Sequence, residues 1–129
     1  MINPTGGVIR NDSQGQGHYR AWRGRRLHKG VDYVATPGQM VKAPISGEIT
    51  RKIQVYRGSK KWVGLEIVGD RATVQLYYVE PNPDIIGTYT VAGRFIGEAQ
   101  DIRQKYGPEM IAHVHLQIVA LDPECLMEV

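Results

Sequence analysis

The stretch AHVHLQIVAL, residues 112–121, sets His113 and His115 two positions apart and alternates them with Val114, Leu116 and Ile118. Successive side chains on a strand point to opposite faces. The stretch therefore predicts a strand with two imidazoles on one face and three apolar groups turned into a core. Asp122-Pro123 closes it, because proline cannot extend the ladder. Far upstream, HKGVD, His28 to Asp32, holds a second pair of metal-ligand types around a glycine. Either pair alone is commonplace: a His and an Asp four apart arise by chance, and paired histidines are often surface residues. Together they suggest two segments meeting around one ion. Zinc is the first candidate, since it accepts imidazole nitrogen and carboxylate oxygen, and a catalytic site keeps one position open. Two His and one Asp would supply three protein ligands, leaving another His for proton transfer.

The rest of the chain reads as short strands joined by turns. Fifteen glycines and seven prolines punctuate it, and helical periodicity is scarce. KGVDYVAT (29–36) is a strand candidate. PGQMVKAPISGEITRKIQVY (37–56) holds two or three more, broken at Pro44 and Ser46-Gly47. WVGLEIVG (62–69) and ATVQLYYVEP (72–81) form a hairpin around Gly69-Asp70, and YTVAGRFIGEAQ (89–100) a strand pair turning at Ala92-Gly93. DIRQKYG (101–107) fits one or two helical turns, ended by Gly107-Pro108. Residues 1–27, centred on NDSQGQG (11–17), are expected to be an ordered but irregular arm. The predicted fold is all-β: a single domain over residues 1–129, with a central antiparallel sheet groove and long loops.

At 129 residues the chain fits one domain with its own core. One cysteine, Cys125, excludes an intramolecular disulfide. The start MINPTGGVIR lacks the basic and apolar regions of a signal peptide, and no apolar run reaches the length of a membrane span. A chain made in the cytoplasm is therefore expected. Net charge is +3, with basic residues concentrated in YRAWRGRRLHKG (19–30) and RGSKKW (57–62). No nucleic-acid motif or basic helical stripe accompanies them, so nucleic acid is not the expected partner. The same charges would attract anionic cell-wall polymers.

RLHKGVDYVATPGQMVKAPISGEI (26–49) resembles the first motif region of the lysostaphin-type zinc endopeptidases: His-x-Gly-x-Asp, then GxxVxAxxxGxI, matched by Gly38, Val41, Ala43, Gly47 and Ile49. VAGRFIGEAQ (91–100) is similar to the family's later GxxIG turn through Gly93, Ile96 and Gly97, and HVHLQI to its terminal His-x-His motif. The resemblance runs from about residue 15 to residue 118. Within the family, GQGHYRAWRGRRLHKGVD (15–32) and LYYVEP (76–81) are most like the leukocyte-derived chemotaxin-like branch, which carries disulfides that this chain cannot form. The resemblance implies a lysostaphin-type fold, zinc ligation by His28, Asp32 and His115, and His113 as the catalytic histidine. It implies a zinc metalloendopeptidase acting on peptide bonds in peptidoglycan stem peptides or cross-bridges at the bacterial wall. A leaderless chain would suit a phage virion or lysis protein, with other virion proteins as partners.

One departure stands out. Active members carry a further histidine in a Y-x-H segment, and reading YYVEP in that register sets Val79 in its place. The chemotaxin-like branch lacks this histidine too. Tyr78, or else Tyr77, is expected to supply a phenol in its stead; both could equally be wall residues. On a straight strand Tyr77 would share a face with Val79 and Tyr78 would point away. The alternative function is a zinc-stabilised binding or structural module that keeps the peptidase fold and has lost turnover.

Overall fold

Runs of β-branched and aliphatic residues cut by glycine and proline settle into strands because their side chains fill a pleated, half-buried surface. The computed structural model describes residues 1–127. In chain order the strands are β1 (Asn11–Asp12), β2 (Gly15–Gln16), β3 (Val31–Val34), β4 (Met40–Lys42), β5 (Gly47–Tyr56), β6 (Ser59–Val68), β7 (Ala72–Tyr77), β8 (Val79–Pro81), β9 (Tyr89–Thr90), β10 (Phe95–Ala99) and β11 (His113–Leu121). Helix is confined, among the described residues, to one turn, α1 (Arg103–Tyr106), and a 3-10 turn over Pro123–Leu126. The fold is all-β. None of these helices is long and apolar enough to cross a membrane.

Six strands form an antiparallel sheet in the order β3-β11-β7-β6-β5-β9, and three more a small sheet in the order β4-β10-β8. The core lies between them. Ile49, Leu65, Ile67, Val74, Leu76, Val114 and Leu116 come from the large sheet, and Val41, Val79, Ile96 and Ala99 from the small one. The opposite face of the large sheet carries a polar row. Register places Asp32 and Tyr77 on either side of His115, and Gln75 beside Gln117.

The hairpin of β6 and β7 turns at Gly69, whose N–H donates to the Ala72 carbonyl, as its sequence predicts. Three expectations are corrected. First, β9 and β10 do not pair with each other. Strand β9 closes the edge of the large sheet against β5, while β10 lies in the small sheet between β4 and β8. Second, Ile118 is 42% exposed rather than buried. Strand β3 covers only His113–Leu116 of β11, and the pairing with β7 shifts register just beyond Ile118. Third, the N-terminal arm carries a short β1–β2 ladder, and its Ile9 bridges to Tyr33.

The main surprise lies at Tyr78. It adopts φ +67°, a left-handed conformation that is costly for a bulky residue. Its N–H still donates to Val63, and its carbonyl still accepts from Gln100. The chain turns a corner there, leaving the large sheet as β7 and entering the small one as β8. Both Tyr77 and Tyr78 consequently face the same side, which alternation along a straight strand forbids.

Candidate metal centre

His28 precedes β3, Asp32 lies on β3, and His113 and His115 lie on the adjoining β11. Gly30 lets the two segments approach this closely. A Cβ on Gly30 would stand 2.3 Å from the Leu116 carbonyl oxygen and 2.8 Å from the His115 ring.

His28 Nε2 is 3.1 Å from His115 Nδ1 and 3.2 Å from Asp32 Oδ1, and His115 Nδ1 is 2.8 Å from the same oxygen. The outer ring nitrogens fix the tautomers. His28 Nδ1 lies 2.9 Å from the His18 carbonyl and must donate to it. His115 Nε2 lies 2.9 Å from Gln117 Oε1 and donates there. Both inner nitrogens therefore present lone pairs toward the carboxylate. Three acceptors crowded at these distances repel one another unless a cation lies between them. Zinc bonds of about 2.0–2.2 Å require ligand atoms roughly 3.3 Å apart, close to the spacing here. The donor set thus fits zinc.

His113 has a different setting. Its Nδ1 donates to the Ile111 carbonyl at 2.8 Å, which leaves Nε2 as a base, 3.7 Å from Asp32 Oδ2. Burial favours the neutral imidazole and lowers its pKa below 6.5, partly opposed by the Asp32 charge. Burial alone would raise the Asp32 carboxyl, but its close contacts with the His115, His28 and His113 rings hold it well below the usual carboxylate range. His18, set aside on sequence, contributes its carbonyl to His28. Its own exposed ring bonds Gln16 Oε1 and the Tyr19 carbonyl.

Tyr77 stacks on the His115 ring at 4.9 Å, with its hydroxyl donating to Gln75 Oε1. Tyr78 stands edge-on to His113 at 5.4 Å, and its hydroxyl is 2.6 Å from that of Tyr56, which is 2.7 Å from that of Tyr106. Burial pushes the Tyr78 phenol up to about 12, although the Tyr56 hydrogen bond draws it down. Val79 is fully buried in the main core, beside Ile96 and Ala99. Val79 thus packs into the core, and the side chain that lines the cleft at this corner is Tyr78. The candidate ligands and His113 line a cleft of about 500 Å³ together with the cationic Arg10, Arg23, Arg26 and Lys29 and the aromatic Tyr56, Tyr78 and Tyr106.

Sequence reading missed Arg10, Asp12, Tyr56, Tyr106, Gln75 and Gln117. Gln117 and Gln75 had a local signal, since they continue the same-face series of His113 and His115 on β11 and of Tyr77 on β7. The others reach the site only through tertiary placement.

No protein-family model matches the chain. The leukocyte cell-derived chemotaxin-2 of Mus musculus is 31% identical over 107 residues, covering 82% of this chain and 69% of its own. The catalytic domain of lysostaphin from Staphylococcus simulans superposes with a TM-score of 0.58 at 24% identity, over 91% of each chain. The catalytic domain of the prophage-encoded M23 protein EnpA from Enterococcus faecalis, solved as a point mutant, gives 0.57 at 19% identity, over 91% of this chain and 85% of that one. Fold, motif order and sequence relationship agree, and the chain belongs to the lysostaphin-type peptidase family, in its chemotaxin-like branch.

Proposed function

We propose that the chain is a zinc-dependent endopeptidase that hydrolyses peptide bonds in peptidoglycan stem peptides or cross-bridges. The observation that carries this reading is the convergence of His28, Asp32 and His115 on one point, with His113 beside it presenting an unengaged Nε2. Likeness to lysostaphin and to the M23 protein EnpA supports the substrate class. EnpA is prophage-encoded, which suits a phage-borne role with virion proteins as partners.

Zinc held by His28, Asp32 and His115 would supply a Lewis acid for the scissile carbonyl and an activated water near neutral pH. His113 Nε2 takes the proton of the attacking water and returns it to the leaving amine nitrogen. The Ile111 carbonyl holds the ring by its Nδ1–H so that Nε2 stays aimed into the cleft. Tyr78 donates its phenolic proton to the carbonyl oxygen as negative charge builds there. With Tyr56 as donor to the Tyr78 oxygen, Tyr78 keeps its own proton for the substrate. Its raised pKa keeps it neutral across the working range. The cationic side chains among the cleft lining favour substrate carrying carboxylates.

Tyr78→Phe should lower kcat by roughly 10²–10³-fold, the usual cost of a lost oxyanion donor. Tyr77→Phe should cost far less, because the Tyr77 hydroxyl is already committed to Gln75. Steady-state hydrolysis of purified muropeptides compares them, and an unchanged rate in Tyr78→Phe removes the phenol from the mechanism.

The likeness to a chemotaxin supports a second reading, a zinc-stabilised binding module without turnover. Zymography on purified cell wall separates the two. Clearing that a chelator abolishes and zinc restores supports the peptidase. Zinc-loaded protein that clears no wall type supports the module.

A further inference from the structure

We infer that Arg10 and Asp12, in the N-terminal arm, are positioning residues that tie the metal ligand Asp32 to the proton carrier His113 through one buried network; this rests on the zinc-site reading above. The Arg10 guanidinium spans two carboxylates. Its Nε donates to Asp32 Oδ2 at 3.2 Å, and its Nη1 donates to both Asp12 oxygens at 2.9 Å and to the Gly15 carbonyl at 3.2 Å. Asp12 Oδ2 then accepts from the Ile111 N–H at 2.8 Å, and the Ile111 carbonyl accepts from His113 Nδ1 at 2.8 Å. An unbroken path therefore runs from the oxygen of Asp32 that faces away from His28 and His115, through the arm, to the ring of His113.

Burial argues that this path does more than decorate a surface. The side chains of Arg10, Asp12 and Asp32 are each only 4% exposed. Buried ion pairs seldom raise stability over an apolar replacement, because desolvation offsets the attraction. Their use here is geometric. Arg10 fixes which Asp32 oxygen is left for the metal. Asp12 fixes Arg10 and also the Ile111 peptide on which His113 hangs. Gly17 seats the arm against the site, since a Cβ there would meet Asp32 Cβ at 2.8 Å and Arg10 Cβ at 2.9 Å. Strands β1 and β2 carry no other burden in the core, and Arg10 and Asp12 join no other ion pair among the described residues.

Asp12→Asn gives a test with a defined sign. It keeps the shape, removes one of the two carboxylate charges paired with Arg10, and leaves Arg10 and Arg23 as an excess of positive charge beside Asp32 and any zinc. Partners of metal ligands typically contribute about 10–100-fold to metal affinity or activity. Zinc affinity, measured by competition with a chelating dye on protein shown folded by circular dichroism, should weaken by that factor. The zinc-induced rise in melting temperature should shrink accordingly. A merely structural role would lower the melting temperatures of the metal-free and zinc-loaded forms alike and leave the rise intact. Asp12→Glu, which retains the charge, should lie between the two, and it carries the test if the Asn variant does not fold. Folded variants that bind zinc as tightly as the unaltered chain overturn this inference alone. Weakened zinc without any wall hydrolysis by the unaltered chain overturns only the proposed reaction. An unaltered chain that binds no zinc overturns both.

Discussion

His113→Ala should retain its zinc and lose muropeptide hydrolysis by roughly 10²–10⁴-fold, the usual contribution of a positioned general acid–base. The His113 ring donates to Ile111 and leaves Nε2 uncommitted, while His28 and His115 turn their inner nitrogens onto one Asp32 oxygen. Spacing in HVH cannot separate the two histidines, but their hydrogen bonds do. The pH profile expected of the proposed hydrolysis follows from the same environment. Burial depresses the His113 pKa below 6.5. The neutral, proton-accepting form therefore predominates from pH 6.5 upward and is lost as the pH falls through the depressed folded value. The acid limb of kcat/KM should lie below pH 6.5, measured with zinc held saturating. A His113→Ala variant that loses zinc as readily as His115→Ala would reverse the two roles.

Removing the ligands together should have the larger effect on stability. His28→Ala combined with His115→Ala should purify without zinc, as elemental analysis would report. The ligands join the segment before β3 to β11, so a bound ion cross-links parts of the chain separated by 87 positions. At zinc a hundredfold above its dissociation constant, linkage contributes about 2.7 kcal/mol, or roughly 10 °C in Tm for a chain of this size. Calorimetry with and without chelator should show that drop in the unaltered protein and none in the double variant. A chelator effect that survives the double substitution would place the ion elsewhere.

The parts of this account visible in sequence are those written in local periodicity. Period-two alternation through residues 113–116 fixed the strand and its two faces, and the glycines and prolines located most turns. HKGVD showed the His–Asp pair around a glycine, and the structure adds that Gly30 lies against the His115 ring. Hidden were features decided by tertiary pairing. Nothing in LYYVEP announces that Tyr78 takes a positive φ, and that one bend turned Val79 into the core and Tyr78 toward His113. Ile118 escaped burial because its neighbouring strand stops short, a property of β3 rather than of β11. Arg10 and Asp12 sit in a polar, glycine-rich stretch with no periodicity, and only the packing of the arm on Asp32 gives them a role. Tyr56 and Tyr106 lie 50 positions apart and meet through a hydroxyl pair.

The most direct test of the central claim is one preparation, purified without added metal, assayed for both zinc content and products from defined muropeptides by mass spectrometry. The account predicts one zinc per chain and cleavage of a peptide bond, abolished by chelator and restored by zinc. Stoichiometric zinc with every muropeptide left intact would contradict it.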